Sequence, residues 1–219
     1  MHHIQKYILK QLTLHKELRY AEMRPPAVDS NLYSYHLMAL QKDKLIHKTD
    51  KRYSLSPQGL TYAERISLDN FETRLQPKII TLLIIENGQG QYLLWPKSKQ
   101  PFIGRWSLLS GKVHLDDVDL AATVRREAIE KFGTEPTRAR HVGDCYIRTY
   151  IEEELVSAVL AHVWKLALPE GAAVSPRTRW VAKDELQALE LAPGTELVLE
   201  QAAAPGGLTF AEYAVHTAL

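Results

Sequence analysis

The sequence predicts a mixed α/β protein built as two separate cores, and three observations predict it. Helix-period segments around one short hairpin fill the first third of the chain, whereas β-branched apolar runs alternating with helical stripes fill the rest. The charge also changes sign. Residues 1–69 hold 11 Lys and Arg against 7 Asp and Glu, a net of +4, which leaves a net of −3 for residues 70–219. At 219 residues, 45% hydrophobic and 24% charged, the composition is that of an ordinary soluble protein with room for two modest cores. The single Cys145 excludes an intramolecular disulfide and a cysteine-based zinc cluster, which suits a reducing cytoplasm. No secretory h-region and no apolar run of transmembrane length is present, so no membrane partner is expected.

The first domain is expected over residues 1–69. Ile4, Tyr7, Ile8 and Leu12 make the stripe of an amphipathic helix. A second short helix is expected near Arg19 to Met23, ended by Pro25-Pro26. Asp29 or Ser30 then caps a third, with Tyr33, Leu37, Leu40 and the following Leu45 inward and Asn31, Ser34, Tyr35, Met38 and Lys42 outward. Leu45 to Thr49 and Arg52 to Leu55 read as two strands around a turn at Asp50-Lys51. Ser56 at the N-cap and Pro57 at the first helical position open a last helix.

This order, with Asn31 to Leu40, Leu45-Ile46 and Tyr53 to Leu60, resembles bacterial winged helix-turn-helix domains. The resemblance implies that Asn31, Ser34, Tyr35 and Lys42 face a DNA groove, that Lys48, Lys51 and Arg52 form a wing on the phosphates, and that the protein is a homodimer on double-stranded DNA. A net of +4 permits that role without demanding it, and a protein-docking module of the same fold remains the alternative.

Asp69 to Pro77 is polar, breaks the helical stripe and ends in proline, so residues 70–77 read as a linker to a second domain at 78–219. Lys78 to Ile85 is a β-branched apolar strand stopped at Asn87-Gly88, with Gln91 to Trp95 returning as its partner. Lys97, Lys99 and Arg105 follow as positive charges suited to phosphates, and Trp106 is expected to be buried. His141 to Ile151 and Leu155 to Leu166 read as a hairpin tipped by Glu152-Glu153-Glu154. Arg179 to Leu186 reads as a strand-to-helix step, and residues 194–202 and 208–218 as closing helices. The nine histidines are scattered without metal-ligand spacing and receive no role.

The chemistry concentrates between Gly111 and Thr134. Asp116, Asp117 and Asp119 precede a stripe of Leu120, Val124, Ala128 and Phe132, and Gly133 stops it. Glu127 and Glu130 leave the same side one turn apart, close enough to share a hard divalent cation, with Arg126 beside them. Gly111, five residues, Asp117, eight residues, then Arg126-Glu127-Ala128-Ile129-Glu130-Lys131-Phe132-Gly133 resembles the Nudix box. Here the middle spacing is one residue longer than the family's, and Lys131 stands in place of its second adjacent glutamate.

The resemblance implies an α/β/α sandwich with a mixed sheet. It also implies Mg²⁺ (or Mn²⁺) held by Gly111, Glu127 and Glu130, catalytic roles for Arg126, Glu127 and Glu130, and a nucleotide-like substrate met by Lys97 and Arg105. A supplementary carboxylate from Glu152 to Glu154 belongs to the same expectation. Two functions follow. One is Mg²⁺-dependent hydrolysis of a nucleoside diphosphate linked to another moiety; the other is a DNA-binding regulator whose damaged Nudix domain senses such a molecule without cleaving it.

Overall fold

Ile4, Ile8, Leu9 and Leu12 recur at helical spacing and are all buried, so helix α1 (His3–Leu14) lies with one face in a core. The computed structural model describes residues 1–67, 72 and 75–218. The chain divides into two units, Met1–Leu75 and Gln76–Leu219. Much of the linker expected at 70–77 lies outside the described residues.

His2, at what reads as a frayed end, instead caps α1 through Nδ1, which accepts from the Ile4 amide at 3.3 Å, and stacks on His36 at 4.0 Å. Arg19 to Met23 do not form the helix expected of them. Leu18–Arg19 is a short strand, β1, paired antiparallel with Tyr53 and Arg52, and a turn follows it. Five residues ahead of two prolines are too few to nucleate a helix, and the open edge of a neighbouring strand satisfies their backbone instead.

Helix α2 (Ser30–Lys42) starts at Asp29, whose carboxylate accepts from the Asn31 and Leu32 amides, and buries Tyr33, His36, Leu37 and Leu40. Strands β2 (Ile46–Thr49) and β3 (Arg52–Leu55) form the hairpin, and Ser56 caps helix α3 (Pro57–Ala63). Helix, strand, helix, hairpin, helix is an order compatible with a winged helix.

In the second unit, strand β4 (Lys78–Ile85) is an inner strand, paired on both sides. Its alternation sends Leu83 and Ile85 to one face and Leu82 and Ile84 to the other. The pairing expected between Lys78 to Ile85 and Gln91 to Trp95 does not form: strand β5 (Tyr92–Pro96) is bridged only at Glu86–Tyr92, just past β4, because both sides of β4 are already taken, and Leu93 packs on Leu83 and Ile85 instead. β5 pairs with strands β6 (Trp106–Ser107) and β10 (Arg179–Val181) in a small second sheet.

The main sheet is mixed, in the order β11-β8-β9-β4-β7, where β7 is Leu109–Lys112, β8 Arg138–Ile151, β9 Glu154–Ala167 and β11 Thr209–Thr217. Helix α4 (Leu120–Phe132) covers one face through Val124, Ala128 and Phe132; helix α5 (Thr195–Ala203) covers the other through Val198 and Leu199. This is the expected α/β/α arrangement. Residues 208–218 are not the closing helix anticipated: Phe210, Glu212, Ala214 and His216 face solvent while their neighbours are half-buried, a period of two, and β11 pairs parallel with β8 over its whole length. Among the described residues no helix is long and apolar enough to cross a membrane.

Candidate functional site

Asp119 opens α4 by accepting from the Ala122 amide at 2.6 Å, and Gly133, at φ 68°, closes it in the left-handed region. Between these caps the helix aims Arg126, Glu127 and Glu130 at the end of β7. Gly111 is where the two meet: a Cβ there would fall 2.0 Å from Glu127 Cγ, so only glycine lets the strand approach this carboxylate, which is 6% exposed.

Arg126 ties the cluster together. Its Nε and Nη2 donate to both oxygens of Asp117 at 3.0 and 2.8 Å, its Nη1 donates to Glu127 Oε1 at 2.9 Å and Glu130 Oε1 at 3.5 Å, and Nη2 also reaches the Lys112 carbonyl at 2.9 Å. Asp117 accepts further bonds from the His114 amide and the Thr123 hydroxyl. The Arg126 hydrogen bonds, ahead of the His114 amide, hold the Asp117 carboxyl far below the usual carboxylate range, and the same contacts raise Arg126. Asp117 is thus the clamp on Arg126, a role that its place in the motif did not disclose.

Three carboxylates against one guanidinium leave two negative charges unbalanced. Glu127 Oε2 accepts no hydrogen bond from the described residues, and beside it stands Gly111, whose carbonyl lies in the β4–β7 ladder opposite Thr81 and is also met by Thr81 Oγ1 at 3.5 Å. An all-oxygen set with that charge fits a hard divalent cation. Lys131 does not form the i,i+4 ion pair with Glu127 that the spacing allows. Glu127 pairs with Arg126, and the lysine ammonium lies over the Trp95 ring, 5.7 Å from its centroid.

Beside the cluster lies a cavity of about 340 Å³. Lys78, Lys97, Lys99 and Lys112 line it together with Ser110 and Gly111. Burial, with Lys78 nearby, pushes the Lys97 ammonium below the ordinary lysine value. Arg105, paired with Lys97 in the sequence reading, goes elsewhere: its guanidinium donates to Thr217 Oγ1 and the Ala218 carbonyl, anchoring the end of β11. The Glu152–Glu153 tip and Glu154 are exposed and outside the cavity lining. Trp106 is half-buried against the α5-side core.

In the first unit, Asn31, Tyr35, Met38 and Lys42 are exposed on α2, Tyr35 and Met38 each at 67%. Ser34 is half-buried and bonded to the Tyr20 hydroxyl at 2.6 Å. Lys51 is exposed at the hairpin turn, Lys48 lies over the Tyr53 ring, and Arg52 pairs with Glu17 at 3.2 Å.

The sequence reading set the histidines aside, yet the antiparallel pairing of β8 and β9 brings His141 and His162 onto one carboxylate, Asp144. Only strand register discloses this, since the two lie 21 positions apart with no local spacing to mark them.

Among solved structures, similar folds include NrtR of Shewanella oneidensis (19% identity, TM-score 0.47, covering 57% of this chain and 60% of that one). The mutator MutT protein of Bacillus halodurans (24%, 0.49, 63% and 90%) and a MutT NUDIX hydrolase of Burkholderia pseudomallei (26%, 0.48, 58% and 98%) are also similar. The match to NrtR spans less than two thirds of that chain. No curated protein matches in sequence. The family model of the NUDIX domain matches residues 76–204, a stretch that contains the Gly111 approach, the Arg126 clamp and both glutamates of α4 and exceeds half the chain, so the protein belongs to the NUDIX family.

Proposed function

We propose that the second unit is a Mg²⁺-dependent hydrolase that cleaves the diphosphate of a nucleoside diphosphate linked to another moiety. One observation carries this reading: the end of β7 belongs to both halves of the site. Gly111 packs on Glu127 and lines the cavity, and Lys112 lines the cavity while its carbonyl holds Arg126. A diphosphate held by Lys78, Lys97 and Lys112 would lie against the edge strand β7, across which the α4 carboxylates stand.

Glu127, Glu130 and the Gly111 carbonyl would hold Mg²⁺, or Mn²⁺, which supplies charge withdrawal from the bridging oxygen and a lowered pKa for the attacking water. A nearby carboxylate of the cluster would accept that water's proton, and Arg126 orients Glu127 through Oε1. Lys131, held on the Trp95 face, leaves Glu127 to Arg126 and so does not abolish the donor set.

The test is incubation with nucleotide sugars, ADP-ribose, dinucleotides and nucleoside triphosphates plus Mg²⁺ or Mn²⁺, following phosphate-bearing products, with Glu127→Gln alongside. Turnover of a diphosphate-linked nucleotide, reduced roughly 10²-fold or more in the variant, is expected. No turnover of any member of the panel sinks the enzyme reading.

A second reading is favoured by the exposed polar and aromatic face of α2, on Asn31, Tyr35 and Lys42. In it the first unit binds double-stranded DNA as one half of a homodimer, and the NUDIX unit senses its nucleotide-like ligand.

A further inference from the structure

We propose a second metal site in the NUDIX unit, apart from α4: His141 Nε2, His162 Nδ1 and a carboxylate oxygen of Asp144 bind one late first-row divalent cation of the Zn²⁺ type. The three residues offer ligand atoms that all lie within 4.8 Å of one another. Strand alternation alone would send residues 141 and 144 to opposite faces. A bulge between His141 and Gly143 restores them to one face, opposite Trp164 and His162 of β9. The ring of His141 is stacked on Trp164 at 5.1 Å, which fixes its plane.

Both imidazoles point a nitrogen at the same atom, Asp144 Oδ1, at 2.8 and 2.6 Å, and Oδ2 accepts no hydrogen bond from the described residues. The site is between a fifth and a quarter exposed, open enough for an ion to enter and shielded enough to hold it. Tetrahedral Zn²⁺, with bonds of about 2.0–2.1 Å, needs its donors roughly 3.4 Å apart, so small rotations of the two rings suffice. A ligating nitrogen presents its lone pair to the ion, so in the bound form each ring would carry its proton on the other nitrogen.

Two imidazoles and one carboxylate select Zn²⁺ or its neighbours over Mg²⁺, and three protein ligands leave a fourth position for water. Gly111, Thr81, His162 and Asp144 form one row across β7, β4, β9 and β8. At a spacing of about 4.8 Å per strand, His162 stands roughly 10 Å from Gly111, too far for the two sites to share an ion.

The experiment is titration of the chelator-treated full-length protein with Co²⁺ in excess Mg²⁺, followed by visible absorption and then displacement with Zn²⁺. One equivalent of tetrahedral Co²⁺ is expected, together with a rise in Tm on adding Zn²⁺. Both should be lost in His162→Ala and in Asp144→Ala and kept in Glu127→Gln. His141→Gln, at the rim of the cluster, repeats the test should either of those variants fail to fold, judged by far-UV circular dichroism. Absence of a Co²⁺ spectrum would overturn the proposal and leave a hydrogen-bonded cluster. A spectrum that survives the His and Asp changes but disappears in Glu127→Gln would equally overturn it.

Discussion

Asp117 gives both carboxylate oxygens to Arg126, and a pH response of stability follows from that pairing. Its folded pKa lies below the unfolded value of about 3.9, so the stabilisation is present above roughly pH 4 and is lost as the pH falls further. Asp117→Asn keeps the shape without the anion. Its melting temperature is expected to lie below that of the parent at neutral pH, with the gap narrowing under acid; a gap that stays constant with pH would refute the assignment. Lys131→Glu adds an anion to the α4 cluster in place of a cation and is expected to tighten Mg²⁺ binding by on the order of tenfold, read by calorimetry. Unchanged affinity would mean that the ammonium, over Trp95, is already screened from the ion. The grouping of Glu127, Glu130 and Gly111 around Arg126 was legible in the sequence because the motif is local. Asp117 as the clamp, and Arg105 turned away to β11, were not, since those contacts depend on how distant backbone lies.

Helix α4 is the element whose position the site depends on, and its ends are set by two residues, Asp119 and Gly133. Asp119→Ala is expected to cost about 1 kcal/mol in chemical denaturation, by loss of the Ala122 amide bond. If the cost were nil, the first turn of α4 would already be frayed. The helix, β4 and the β8–β9 hairpin were legible because long periodic runs with capping or turn residues at their ends leave little choice. β1 and β11 were misread as helices for a shared reason. Each is a strand because a neighbouring edge needed a partner, β3 for Leu18–Arg19 and β8 for Thr209–Thr217, and a single segment does not display the needs of its neighbour.

At the scale of the whole molecule, the chain joins a basic first unit to a NUDIX unit, and the regulator reading makes a separable prediction. Arg52→Ala should weaken binding to cognate and random duplex alike in gel shifts and reduce the salt dependence. The Arg52–Glu17 bridge, exposed and worth about 0–1 kcal/mol, should not prevent that contact. Asn31→Ala should cost roughly 1–3 kcal/mol on a cognate site and little on random duplex. No binding at low salt, to DNA upstream of its own gene or to random duplex, would make the first unit a docking module, with Leu32, Tyr35 and Met38 as its exposed apolar contacts. The division into two units was legible from the change of pattern and charge, both of which are sums over many residues and so survive local misreadings.

The parallel pairing of β11 with β8 along nine consecutive residues, Thr209–Thr217 against Gly143–Ile151, has a consequence for the handling of the protein. β11 is itself the outer strand of the sheet, so trimming the chain after Gly207 would move the open edge inward to β8 and uncover the apolar surface on which Tyr213 and Val215 pack. β11 therefore serves as a lid on apolar surface as well as a strand, and a version without it is expected to lose solubility before it loses the carboxylates of α4.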